Sequence, residues 1–153
     1  MHAEIKPIIR MKDAEYLAQT MCPADVRELA CMGSTPLEAL TAGFRFSDLD
    51  LRWTLYLDGA PAAMWGCAAY APSRGCPWLL SDGRLPKVRR LTLDTTLQHV
   101  GLMRQRYPYL ANAVHAQNRH SLRWLQWAGF RKETEFLARG APFYVMSLET
   151  PHV

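Results

Sequence analysis

Hydrophobic and polar positions along the chain fall into blocks with distinct periods. Ile5 to Arg10 reads as a short β-type run. From Lys12 to Met32 the period is helical: Ala14, Leu17, Ala18 and Met21 share one face, and Pro23 and Asp25 then restart the pattern with Val26, Leu29 and Ala30. Pro23 near a helix start and Gly33 past its end are the expected punctuation. A third helix is predicted over Pro36 to Ala42, after the potential caps Ser34 and Thr35, stopping at Gly43.

The texture then changes to alternation. Leu51, Trp53, Leu55 and Leu57 interleave with Arg52, Thr54, Tyr56 and Asp58, which is strand periodicity. Asp58-Gly59 signals a hairpin, with Pro61 to Tyr70 as the returning strand and Cys76 to Leu80 as a third. Pro86 to Tyr107 is the longest helical stretch, with Leu93, Leu97, Val100, Met103 and Tyr107 on one stripe. Tyr109 to His115 reads as a buried strand, and Asn118 to Ala128 as a helix capped by Asn118 and closed by Gly129. Arg131 to Leu137 and Phe143 to Leu148 are two last strands around an Arg139-Gly140 turn. The order predicts an α+β fold with a mixed sheet, and by itself names no chemistry.

Composition narrows the function classes. The 153 residues are 49% hydrophobic and 21% charged, which suits one packed domain spanning 1–153. No apolar run reaches the ~18–20 residues of a membrane span. The start of the chain lacks a signal-peptide core, because charges and Pro7 interrupt it, so a cytoplasmic protein is expected. Cys22 and Cys31 lie nine residues apart, as do Cys67 and Cys76, and neither spacing fits a zinc site; reduced thiols are expected. The five histidines (2, 99, 115, 120 and 152) are scattered and form no ligand cluster, so no metal is expected. Charge is uneven. Arg84 to Arg139 holds eleven Lys/Arg against three acids, a surplus of +8, whereas the remainder carries −4. That asymmetry points to an anionic partner for the second half, or else to solvated helix faces.

Asn118 to Phe130 reads Asn-Arg-His-Ser-Leu-Arg-Trp-Leu-Gln-Trp-Ala-Gly-Phe. It resembles the last motif of the GNAT superfamily of acyl-CoA-dependent N-acetyltransferases. There an Asn follows a strand, a small residue comes three on, and Gly-Phe closes the helix; Asn118, Ser121, Gly129 and Phe130 occupy those positions. The element order is similar to the GNAT order across nearly the whole chain. The resemblance implies a mostly antiparallel sheet flanked by helices, in which the strands Cys76–Leu80 and Tyr109–His115 diverge at their C-terminal ends. A narrower resemblance, carried by Asp13-Ala14, Pro23-Ala24-Asp25, Asp58-Gly59-Ala60-Pro61, Pro77-Trp78-Leu79-Leu80 and Arg123-Trp124-Leu125, is to short GNAT-like proteins of short-tailed bacteriophages. These are usually labelled internal virion or virion-assembly proteins, or of unknown function. It implies a phage or prophage origin, with the host cytoplasm as location.

The superfamily resemblance implies acetyl-CoA as co-substrate and assigns residues to it. Trp78, Leu79, Leu80 and Ser81 would present backbone groups to the pantetheine arm, and otherwise form an ordinary buried strand. The phosphate loop of the superfamily is Gly-rich, but here the segment is Asp82-Gly83-Arg84-Leu85-Pro86-Lys87-Val88-Arg89-Arg90. Lys87, Arg89 and Arg90 would then neutralise phosphates by side chain. Asn118, with Ser121, is assigned to the pantetheine arm, to the helix cap, or to both. Many active members carry a Tyr seven residues after that Asn to protonate the departing thiolate; here Leu125 stands there. Asp82 and His115 are the nearest candidates for a general base, with turn and strand-end roles as the alternatives. Arg119, His120 and Arg123 form a basic group beside Trp124 and Trp127, two tryptophans whose spacing also suits core or interface.

Two functional readings follow. One is an acyltransferase moving acetyl from acetyl-CoA to an amine of a protein or small molecule. The other is a catalytically degenerate GNAT-fold binding protein, acting in phage virion assembly or on a host protein. Nucleic-acid binding through the basic half ranks behind both, since no recognisable module is present.

Overall fold

One continuous seven-stranded sheet organises the chain in the computed structural model, which describes residues 1–151. His152 and Val153 lie outside the described residues. In chain order the elements are β1 (Ala3–Lys6), α1 (Met11–Thr20), α2 (Pro23–Cys31), α3 (Pro36–Phe46), β2 (Ser47–Leu57), β3 (Ala60–Ala71) and β4 (Arg74–Ser81). A 3-10 turn (Leu85–Val88) leads into α4 (Arg89–Arg106), followed by β5 (Tyr109–His115), α5 (Arg119–Trp127), β6 (Arg131–Ala138) and β7 (Ala141–Glu149). The strands lie in the order β1-β2-β3-β4-β5-β7-β6. Every neighbouring pair is antiparallel except β4 and β5. The expected α+β architecture, a mostly antiparallel sheet flanked by helices with a splayed central pair, is the one observed.

Local turn chemistry fixes the hairpins. Asp58 and Gly59 both have positive φ, as do Arg139 and Gly140, so each pair makes the two-residue turn that suits the strand twist. Odd positions of β2 face one layer, where Leu51 and Trp53 join Met103, Tyr107, Leu110 and Phe130. On the opposite layer Ile9, Leu17, Met21 and Leu40 pack on Met64 and Leu80.

Arg52, Thr54 and Tyr56, the polar positions of this alternating stretch of β2, are buried as well. Helices cover this strand on both faces, so its alternation separates two interiors rather than core from solvent. Each buried polar group is paired: the Thr54 hydroxyl donates to the Ile8 carbonyl at 2.7 Å, and the Tyr56 hydroxyl to Asp13 at 2.5 Å. Arg52 donates to the Phe44 carbonyl at 2.6 Å and to the Ser47 carbonyl, closing the C-terminal end of α3.

Three differences from the sequence expectation bear on the packing. β1 is Ala3–Lys6, ending before Pro7, because its partners are Leu57 to Thr54 on β2. α3 runs through Gly43 to Phe46. Gly43 is not a stop but a contact: a Cβ there would stand 2.4 Å from Trp78 Cζ2. The Trp78 indole lies in a slot between Gly43 and Gly66 and donates through Nε1 to Ser47 Oγ at 2.7 Å. Finally, α4 is rolled relative to its apolar stripe. Met103 and Tyr107 are buried, but Leu97 is 53% exposed and His99 faces the sheet in its place. The four cysteines are free thiols, and burial pushes Cys67 up to about 12 and Cys76 to about 11. No helix among the described residues is long and apolar enough to cross a membrane.

Candidate active site

The parallel pair β4–β5 is joined at only two positions, Arg74↔Tyr109 and Gly75↔Leu110, and then opens. Pro77 supplies the reason. Within a strand the N–H and C=O of one residue point to the same side, and alternate residues point to opposite sides. The Pro77 carbonyl faces β5, since it accepts from Asn112, so its missing N–H is missing on that side too. The ladder therefore loses a donor two residues after its last rung. The Asn112 carboxamide fills the widening gap: Nδ2 donates to Pro77 O at 2.6 Å, and Oδ1 accepts from the Ala113 N–H at 2.7 Å. Beyond that bridge Leu79, whose backbone groups turn to the open side, pairs with no residue of β5.

A cleft runs from this opening out between α4 and α5. Its inner part, about 160 Å³, is walled mainly by apolar side chains. The outer part, about 470 Å³, is lined by Arg89, His120 and Arg123 among others. Neither arginine forms an ion pair among the described residues, so both guanidinium groups are available to an anion. α4 begins at Arg89 with no side-chain cap, which leaves first-turn N–H groups beside the same mouth. Trp124 lines both parts, and its Nε1–H is buried without a partner. A buried unpaired donor costs about 1–3 kcal/mol, so this N–H favours an acceptor arriving in the cleft. Asn118 and Ser121 stand beside it, with the Asn118 oxygen accepting from the Ser121 N–H at 3.4 Å.

Two carboxylates stand at the opening. Asp25 and Glu28, one turn apart on α2, lie on the same helix face. Asp25 accepts the Ser81 N–H at 3.0 Å, at the end of β4. Glu28 accepts the His115 N–H at 3.4 Å and Asn118 Nδ2 at 3.1 Å, at the end of β5. The pair thus spans the mouth of the opening from one side to the other. Burial raises the pKa of both groups, and the hydrogen bonds they accept only partly offset it.

The residues singled out from the sequence divide into two sets. Leu79, Ser81, Arg89, Asn118 and Ser121 line the cleft. Leu80 points to the opposite layer and packs with Leu17 and Met64. Lys87 and Arg90 are exposed and line neither part. Asp82 is tied to Arg84, with contacts of 2.8 Å to both Nε and Nη2, and lies outside the cleft. His115 packs on Phe143 at 5.2 Å, its Nδ1 accepting from the Gln117 N–H. Leu125 lines the inner cleft. Asp25, Glu28, Asn112 and Trp124 escaped assignment as site residues. Two acids three apart on a helix were the available signal for the first pair, but the chain alone does not say which face of α2 meets the sheet. Among the described residues no cluster of His, Cys, Asp and Glu is arranged to hold a metal.

No model of a known protein family matches the chain, and no curated protein matches it in sequence. Solved structures do match, over almost its whole length. The ribosomal-protein-S18-alanine N-acetyltransferase from Escherichia coli superposes with a TM-score of 0.68 at 14% identity, covering 99% of this chain and 96% of that one. A GNAT-family acetyltransferase from Bacillus anthracis gives 0.65 at 12% identity, over 97% and 95% of the two chains. The aminoglycoside acetyltransferase AAC(6')-Ib, solved with coenzyme A, likewise gives 0.65 at 12% identity, over 97% and 95%. At such identities the likeness is one of architecture: this chain has the fold of the GNAT-family acetyltransferases.

Proposed function

We propose that the protein is an N-acyltransferase that moves an acyl group, acetyl in the simplest case, from acyl-CoA to an amine of a protein or small molecule. The observation that carries this reading is the meeting, at one opening in the sheet, of an unpaired strand edge, an orphaned indole N–H and two half-buried carboxylates. The thioester supplies an activated acyl carbon. Trp124 Nε1, Asn118 and Ser121 suit the amide-rich arm of CoA, and Arg89, His120 and Arg123 at the outer mouth suit its phosphates. The Leu79 N–H faces the gap as a donor to the acyl oxygen.

Glu28 and Asp25 are the bases this geometry favours. An amine reaching the opening as an ammonium ion meets carboxylates whose proton affinity burial has raised, and loses its proton to one of them. The free amine then forms the C–N bond as the C–S bond breaks; the electron pair leaves on sulfur, and the proton shed by the new amide nitrogen passes to the thiolate, which departs as the thiol. A thiol pKa of about 8.5 makes thiolate a tolerable leaving group near neutral pH, so Leu125 does not forbid the step.

Calorimetric titration with acetyl-CoA, followed by thiol-release assays over an amine panel, tests the reading. Saturable binding is expected, with kcat/KM falling about 10²- to 10⁴-fold in Glu28→Gln. Absence of binding by CoA, acetyl-CoA and a longer acyl-CoA at millimolar concentration in low salt would sink the proposal. A binding scaffold of phage origin, acting in virion assembly or on a host protein, would then take its place. Leu125 and the narrower sequence resemblance favour that second reading.

A further inference from the structure

The inner cleft continues past the opening, beneath α4. Its floor steps from Leu79 on β4 to its register partner Trp65 on β3, then diagonally to Leu55 on β2, whose partners are Ala63 and, on β1, Ile5. From β4 to β1 that is three strand spacings, roughly 14 Å. An acetyl group needs no such extension.

The helix above is built to leave this space open. α4 is pinned at both ends: Leu85 and Val88 of the 3-10 turn pack on Leu55 and Ala63, and Met103 and Tyr107 join the main core. Between the pins it lowers threonines, Thr92 and Thr96, toward the sheet, while Leu97 and Leu102 stand exposed on its other sides. Interiors are normally filled to crystal density, so a helix that sets Leu97 and Leu102 in solvent above such a space is not optimised for packing alone. The Thr92, Thr96 and Trp65 donors of the lobe are satisfied within the protein. Thr92 and Thr96 hydroxyls donate to the Val88 and Thr92 carbonyls, and Trp65 Nε1 donates to His99 Nδ1 at 2.8 Å. The lobe therefore offers little to a polar guest and much to an apolar one. A dry apolar cavity of about 150 Å³ accommodates benzene, six carbons; the inner cleft as a whole, of which this lobe is the apolar part, has about 160 Å³.

Building on the acyltransferase reading, we infer that the space beneath α4 is an acyl pocket, and that the donor carries an apolar acyl group of about six carbons rather than acetyl. The product is then the corresponding medium-chain amide, with CoA released as its thiol after the bond exchange described above.

Titrating the full chain with CoA, acetyl-CoA and hexanoyl-CoA tests this. Buried methylenes are worth about tenfold in affinity for every two, so hexanoyl-CoA is expected to bind about ten- to a hundredfold more tightly than acetyl-CoA. Thr96→Leu, which fills the lobe, should bring that ratio to one or below. Equal or weaker binding of hexanoyl-CoA by the wild-type protein overturns the inference while leaving the acyltransferase reading intact. A preference that survives Thr96→Leu in a folded variant places the chain elsewhere and also overturns it. Failure of CoA and both thioesters to bind removes the acyltransferase reading, and this inference with it.

Discussion

The carboxamide of Asn112 stands between β5 and the carbonyl of Pro77, 2.6 Å from it, where a backbone rung would otherwise be. Its other end holds the Ala113 N–H. Asn112→Ala leaves the Pro77 carbonyl and the Ala113 N–H without these partners in a half-buried position. A loss of about 1–3 kcal/mol in unfolding free energy is expected, read as a lower urea midpoint at unchanged slope. An Asn112→Ala protein as stable as wild type would mean that the amide bridge is incidental.

Gly43 gives a prediction whose sign separates helix propensity from packing. In an exposed helix, Gly→Ala gains up to about 1 kcal/mol. Here the added methyl would stand 2.4 Å from Trp78 Cζ2, and the indole is held by its bond to Ser47. Gly43→Ala should therefore destabilise, by about 1–3 kcal/mol, with a matching fall in Tm. A rise in Tm would show that Trp78 moves aside freely.

The adjacent arginines at the start of α4 are expected to behave differently. Arg89 lines the outer cleft and Arg90 does not. Losing a charge-assisted contact to phosphate costs about 1.5–3 kcal/mol. Arg89→Ala should thus weaken acetyl-CoA binding about ten- to a hundredfold, and Arg90→Ala little. Equal effects in calorimetry would point to a diffuse field rather than a contact.

Acid stability should carry two opposing contributions. Burial raises Asp25 and Glu28 above their ordinary values of 3.8 and 4.5, so the folded protein holds protons that the unfolded chain has released. Their contribution is present at low pH and is lost as pH rises through the raised folded values. His99 works the other way. Burial against Trp53 and Trp65 lowers it from 6.5 to about 4, so its contribution is complete above pH 6.5 and is lost as pH falls toward 4. His99→Gln, which keeps an acceptor for Trp65, should lose less stability than wild type between pH 6.5 and 4. Asp25→Asn should be at least as stable as wild type at pH 7, because an amide still accepts the Ser81 N–H with no charge to bury. Denaturant titrations across pH read both slopes.

What the chain disclosed about itself follows the range of the physics involved. Asp58-Gly59, Arg139-Gly140 and the Asn118 cap act within a few residues, and those turns and that cap are where the sequence places them. Gly43 looked like a helix end because its partner, Trp78, is 35 positions away. The leucine stripe of α4 misled for a related reason: a helix pinned at its ends is oriented by those ends, and the middle follows. Leu79, Ser81, Arg89, Asn118 and Ser121 were legible through the resemblance. The carboxylates of α2 were not, because their meaning comes from the two strand ends that they reach.

The two rungs between β4 and β5, with one amide beside them, have a mechanical consequence. β1 to β4 form one half of the sheet and β5 to β7 the other, and along this seam the backbone provides few stitches. Elsewhere neighbouring strands are laced over most of their length. Opening fluctuations should therefore concentrate at the seam, and amide exchange there should outpace exchange at the β2–β3 and β5–β7 pairings. A molecule lying across the gap acts as a missing stitch. It would slow exchange on both halves together, far from any atom that it touches.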